Sequence, residues 1–236
     1  MGPGTLERGQ SVRNLIGVIA VSLVAMTGAA LVPVSTTAAA NATSVDFAGY
    51  QATSRSTFGS ASVEFRVPVI QCNFNLQGTL ALFGSFLTDL DPEEAAVVGG
   101  CGNQSFTPYY FGLIGGHETS FSPRPGDLVK TKLSTSANVA TLTDLTQGVS
   151  ESGSFAPSPG RPVAYDGVST YFCLFACGPH SVASFGKIRM FDATLNGVTP
   201  RTAGATAVNM QNPPFGIATT ALNTTGNDWS EVWRNL

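Results

Sequence analysis

From Asn41 to the C-terminus, apolar residues recur in short alternating or continuous runs broken by clusters of Gly, Pro, Ser and Asn, and no 3.6-residue periodicity lasts beyond two turns. That pattern predicts strands rather than helices. Strands are expected over Ser60–Val67, Gly78–Phe86, Tyr109–Gly115, Leu128–Ser134, Val139–Asp144, Val149–Phe155, Ser169–Ala176, Phe185–Thr194, Thr206–Met210 and Ser230–Trp233. Between Ser169–Ala176 and Phe185–Thr194 the chain passes through Cys177-Gly178-Pro179 as a short loop. In the later of these two strands Ile188, Met190 and Asp192 face one way, and Lys187, Arg189 and Phe191 the other. Pro125-Gly126-Asp127 is a turn, because Pro fixes φ and Gly accepts a positive one. Trp229 and Trp233, four apart, share one strand face and are expected inside. Many short strands with regular turns predict an all-β fold: a single antiparallel two-sheet β-sandwich, jelly-roll or concanavalin-like, over residues 41–236.

The first 40 residues have a different pattern. Arg8 and Arg13 precede the apolar run Leu15–Val24, and small residues ending in Ala38-Ala39-Ala40 follow. This is the layout of a secretory signal peptide, with cleavage expected near Ala40. The expected protein is secreted and extracellular, with no membrane segment once the signal is removed. The chain of 236 residues is 11% charged with a formal net charge of −3, which gives no reason to expect a nucleic-acid partner.

Export gives the four cysteines meaning. Cys72, Cys101, Cys173 and Cys177 can pair in three ways, and an oxidising compartment favours two disulfides over free thiols. The sequence-local pairing, Cys72–Cys101 and Cys173–Cys177, is expected. No zinc site is expected, since no CxxC occurs and only His117 and His180 could assist. Asp89, Asp91, Glu93 and Glu94 suit a hard cation by composition, but no glycine or bidentate glutamate follows at loop spacing. A solvated acidic loop, or one helical turn from Pro92 capped by Asp91, is the simpler reading. His117 beside Glu118 and His180 beside Ser181 lack any G-x-S-x-G elbow, so serine-hydrolase chemistry is not expected. No metal or cofactor is expected.

Several landmarks occur in a particular order: Phe47-Ala48-Gly49-Tyr50, then Ser60 to Val67-Pro68, then Pro125-Gly126-Asp127 and Leu145-Thr146-Gln147-Gly148. Phe185-Gly186-Lys187-Ile188-Arg189-Met190-Phe191, Asn196-Gly197 and the closing Asp228-Trp229-Ser230-Glu231-Val232-Trp233 complete the series. This order resembles the glutamic peptidase (eqolisin) family across nearly all of the chain beyond residue 40. The resemblance implies a secreted two-sheet sandwich with a substrate groove across a concave face. It also implies a glutamine and a glutamate on neighbouring strands that activate water and stabilise the tetrahedral intermediate.

At the matching positions this chain departs from its relatives. The glutamine position falls on Val97 or Val98, the glutamate position on Tyr171 and a second glutamate position on Phe175. Valine donates no hydrogen bond to an oxyanion, and tyrosine, with a pKa of about 10, is no carboxylate. Gln104 and Glu118 are the candidates for a shifted pair. The resemblance therefore leaves two readings. One is a non-catalytic binding or surface protein whose groove holds Tyr109, Tyr110, Phe111 and Tyr171 and takes peptide, glycan or cell-wall material. The other is an active acid endopeptidase with a displaced catalytic pair.

Overall fold

The structure is a computed structural model that describes residues 42–54, 57–88, 93–102, 106–155, 163–172, 178–179 and 181–236. The expected signal peptide lies outside these residues, as do Asp89, Asp91, Gln104, Cys173, Phe175, Cys177 and His180. The strands in chain order are β1 (Ala42–Ser44), β2 (Phe47–Thr53), β3 (Ser60–Arg66), β4 (Leu80–Thr88), β5 (Glu93–Cys101) and β6 (Pro108–Ile114). Next come β7 (His117–Glu118), β8 (Leu128–Ser134), β9 (Val139–Asp144), β10 (Val149–Ser154), β11 (Val163–Ser169) and β12 (Tyr171–Phe172). The last five are β13 (Gly178–Pro179), β14 (Lys187–Leu195), β15 (Thr206–Asn212), β16 (Phe215–Thr219) and β17 (Trp229–Asn235). One turn of 3₁₀ helix, Phe74–Leu76, is capped by the Asn73 side chain.

Fifteen of these strands form one hydrogen-bonded sheet in the order β10-β9-β8-β3-β14-β17-β16-β15-β2-β11-β4-β5-β6-β7, with β1 added in parallel on β15. The sheet folds over on itself, so β3 packs against β4 and β11, and β8 against β4 and β5. The expected all-β antiparallel sandwich is therefore present, but its two layers are halves of one continuous sheet, linked through β17, β16 and β15.

Between the layers lies the main core. Val63 and Phe65 of β3 and Val129 and Leu133 of β8 meet Ala81 and Phe83 of β4 and Val97 of β5, all of them buried. Phe65 and Phe83 face each other across the layers at 6.2 Å between ring centroids, and Phe185 meets Phe83 edge-on at 5.2 Å. Ser85 and Thr131 hydrogen-bond across the same gap at 2.9 Å. The Cys72–Cys101 disulfide ties the segment after β3 to the end of β5, as expected.

Several strands differ from the sequence expectation. β1, β2, β5, β7, β11 and β16 are not among those expected, and of the strand expected over Ser169–Ala176 the described residues show Ser169 as the end of β11 and Tyr171–Phe172 as β12. Gly178-Pro179, expected as loop, pairs instead with Tyr171-Phe172 as a separate two-stranded ribbon. Glu93 and Glu94 open β5 rather than a helical turn or solvated loop, because the pairing of β5 with β4 and β6 overrides the local signal. In β14, Ile188 and Met190 point inward as expected, but Asp192 is exposed. Its φ of +50° and a register shift between Phe191 and Thr194 mark a bulge, which resets the alternation so that Ala193 and Leu195 turn inward.

Candidate binding face

Residues of β2, β11, β4, β5 and β6 alternate between the main core and a second face. Ala48, Tyr50, Asp166, Phe83, Val97 and Ile114 have one parity, and Gly49, Gly167, Leu82, Val98 and Leu113 the other. The middle row of the second face runs Gly49–Gly167–Gly84–Ala96–Leu113. Its first three members have no side chain, and the backbone needs that. Gly49 and Gly167 adopt φ of +145° and +155°, and a Cβ on Gly167 would lie 2.2 Å from the Ala48 carbonyl oxygen. A Cβ on Gly84 would lie 2.2 Å from the Ala95 carbonyl oxygen. The result is a strip across three strands with no side chains of its own, over whose Gly49 end the Phe47 ring lies, its Cζ 2.8 Å from the Cβ position.

Aromatic residues flank the strip. On one side Tyr165 stacks on Phe86 at 5.0 Å and 14°, and Phe47, from the opposite row, reaches across Gly49 to tilt against Tyr165 at 4.3 Å. On the other, Val98 sits between Leu82 and Phe111, and Phe111 stacks on Tyr109 at 5.9 Å and 13°. Leu82, Phe86, Ala96, Val98 and Leu113 are all buried, so the face opens to solvent towards Tyr109, which is 37% exposed.

Of the residues expected to line a groove, Tyr109 and Phe111 come together here. Tyr110 belongs to the opposite parity: its hydroxyl accepts from the Ile70 backbone N–H at 2.8 Å and donates to the Pro68 carbonyl at 3.2 Å. That places Tyr110 in the support of the loop after β3. Tyr171 lies in the small ribbon beyond β11, and its side chain is outside the described set. Val98, one of the two glutamine positions implied by the resemblance, does face the second side, among apolar neighbours. Glu118 pairs with Leu113 on the edge strand β7 and is exposed. From β5 to β7 are two strand spacings, which with the stagger along the strands separates Val98 from Glu118 by about 12 Å.

Sequence reasoning missed one carboxyl on this face. Glu94 has the parity of Ala96 and Val98, and counting back by twos from Val98 would have found it. It is almost fully buried, and burial raises its pKa to about 7, against the opposing effect of the Gly116 backbone N–H, which donates to it at 2.6 Å. Its row runs Gln51–Tyr165–Phe86–Glu94. Gln51 and Glu94 are thus three strands apart, about 14 Å at ordinary strand spacing, too far to share one water.

Two further carboxyls are fully buried but face inward. Asp166 lies opposite Ser85 in register. Neither of its oxygens has a hydrogen-bond partner among the described residues, and burial raises its pKa well above the usual range, the nearby Ser85 hydroxyl offsetting only part of that. Glu231 is raised to about 8, by burial first, with Thr219 and Trp229 opposing. The Thr219 Oγ1 lies 2.8 Å from Glu231 and also in a short contact with the Val208 carbonyl. One hydroxyl proton cannot serve both oxygens, and a protonated Glu231 that donates to Thr219 satisfies the set.

No protein-family model matches the sequence, and no curated protein does. Solved structures do match. Scytalido-glutamic peptidase with a transition state analog inhibitor superposes with a TM-score of 0.62 at 16% identity, covering 80% of this chain and 98% of that one. SCP-B, a member of the eqolisin family of peptidases in complex with the tripeptide Ala-Ile-His, gives 0.61 at 16% identity with the same coverage. Aspergilloglutamic peptidase from Aspergillus niger gives 0.50 at 15% identity, covering 66% of this chain and 99% of that one. The scaffold implied by the order of the sequence landmarks is therefore the one observed: the chain has the fold of the glutamic peptidases.

Proposed function

We infer that this chain is a secreted protein on the glutamic-peptidase fold that binds rather than cleaves, with the Tyr109–Phe111 end of the second face as its contact surface. Peptide, glycan or cell-wall material are the partner classes that an aromatic-lined face suits. The observation that carries this reading is the setting of Val98. The resemblance puts the family's glutamine at Val97 or Val98, and of these Val98 is the one on this face; its neighbours are Leu82 and Phe111, and among the described residues of the face Gln51 and Glu94, an amide and a carboxyl, stand three strands apart. Water activation and oxyanion stabilisation need both groups on one reacting centre. Secretion is supported by the disulfide, which an oxidising compartment preserves, and by the signal-like N-terminal sequence. No helix among the described residues is long and apolar enough to cross a membrane.

A second reading, an acid peptidase with a displaced site, is favoured by one observation: Glu94 is a buried carboxyl on this face whose pKa burial raises to about 7. Both readings meet in one assay, cleavage of a denatured protein between about pH 2 and pH 5, where a carboxyl-dependent site would work. The expected outcome is no turnover by the folded wild type. Turnover abolished by Glu94→Gln, with the circular dichroism unchanged, would establish the displaced site and end the binding-only reading.

A further inference from the structure

Away from this face, a groove of about 660 Å³ opens between the 3₁₀ turn, the Ser181–Ser184 segment and the ends of β16 and β17. It shares no lining residue with the aromatic face. Every described side chain that lines it is uncharged, and five of them are the carboxamides of Gln71, Asn73, Asn75, Gln77 and Asn235. Asn75, Gln77 and Asn235 have no side-chain hydrogen-bond partner among the described residues. Phe215 and Trp233 form an aromatic wall, with ring centroids 5.1 Å apart and planes 33° apart. The Trp233 Nε1 itself is buried, without an acceptor among the described residues.

We propose that this groove is a binding site for a neutral oligosaccharide. Carboxamides offer a donor and an acceptor side by side, which suits vicinal hydroxyls. The aromatic wall of Phe215 and Trp233 suits the C–H face of a pyranose ring. The lack of charge among the described lining residues disfavours uronic acids, phosphosugars and free amino sugars. An extended peptide is the chief competitor, since carboxamides also recognise backbone amides. Extended peptides, however, commonly dock by adding a strand to an open sheet edge. Here Phe215 of β16 is paired on both sides, by β15 and β17, and β17 is held on its other side by β14 up to Val232 and by the Gly186 carbonyl at Trp233, which leaves only Arg234 and Asn235 as a two-residue edge. The proposal stands whether or not the aromatic face hydrolyses peptides.

The chain has two tryptophans, Trp229 and Trp233, and Trp229 is buried in the core against Tyr50. Their indole N–H resonances therefore distinguish the groove from the interior. Purified protein is titrated with cello-, malto- and manno-oligosaccharides, with a neutral tripeptide and an oligouronate alongside. At least one neutral oligosaccharide is expected to shift the Trp233 indole signal saturably at millimolar concentration or below, leaving Trp229 in place. The surface variants Gln77→Ala and Asn235→Ala are each expected to weaken that binding by about tenfold, one hydrogen bond's worth, with unchanged near-ultraviolet circular dichroism. No shift with any neutral saccharide, equal affinity in both variants, or saturation by the tripeptide alone would overturn the proposal.

Discussion

At Gly167 a side chain would collide with the main chain itself. The Ala48 carbonyl oxygen occupies the position of a Cβ at 2.2 Å, and the residue's φ is +155°. No rotamer relieves an overlap with backbone, so strain and displacement add. Gly167→Ala is expected to destabilise the fold by about 3–5 kcal/mol, read as a shift in the urea midpoint. Gly148→Ala is the control: its φ is +71° but nothing lies within 4 Å of its Cβ position. That variant is expected to cost only about 1–2 kcal/mol. Gly167 also shows what the sequence hid at this scale. In Tyr-Asp-Gly-Val a glycine after an aspartate reads as a turn signal, while its actual role, close approach between β11 and β2, depends on a strand more than a hundred residues earlier. The order of landmarks points to Val97 or Val98, and only the strand alternation separates them, with Val97 in the main core and Val98 on the second face. Glu94 was hidden by its acidic neighbours, which made a solvated loop the natural reading.

At the scale of elements, the strands read from the sequence were those with local alternation: β3, β8, β9 and β10 end close to where the pattern placed them. β5 begins with two glutamates and carries paired glycines, and β11 contains Asp166 and Gly167, so neither has strand-like composition. Both lie well inside the sheet, β5 between β4 and β6 and β11 between β2 and β4, and tertiary pairing makes them strands. Correct pairing of β5 is helped by the one described disulfide. Cys72 and Cys101, 29 residues apart, close a loop that contains all of β4 and nearly all of β5. In the chain-entropy account a link of that span is worth about 3–4 kcal/mol. A Cys72→Ser, Cys101→Ser double variant is expected to lose that much in a denaturant titration. A loss below about 1 kcal/mol would show that the unfolded chain is not appreciably restrained by the link.

Over the whole molecule, three buried carboxyls act in the same direction. The folded state holds a proton on Glu94 up to about pH 7 and on Glu231 up to about pH 8, and Asp166 is also raised, whereas unfolded glutamates release theirs near pH 4.5. Across that window the native state binds more protons, so stability falls as pH rises. The contribution is complete below about pH 4.5 and is lost progressively until each folded pKa is passed. At the acid end Asp127 acts the other way. Its partial burial is outweighed by the Arg124 backbone N–H and the Gln147 amide, which hold its pKa below the usual value, so its contribution is lost as pH drops past 3.8. Thermal stability is therefore expected to peak in mild acid and to decline towards pH 8. Glu231→Gln keeps the shape and an amide for Thr219 and Trp229 but cannot ionise, so it is expected to flatten the decline between about pH 5 and pH 8, by on the order of a few kcal/mol. Differential scanning calorimetry of wild type and variant across that range measures it. Parallel curves would mean that Glu231 ionises in the fold as readily as in the unfolded chain, and that the Thr219 hydroxyl, not an acid proton, bridges the two oxygens.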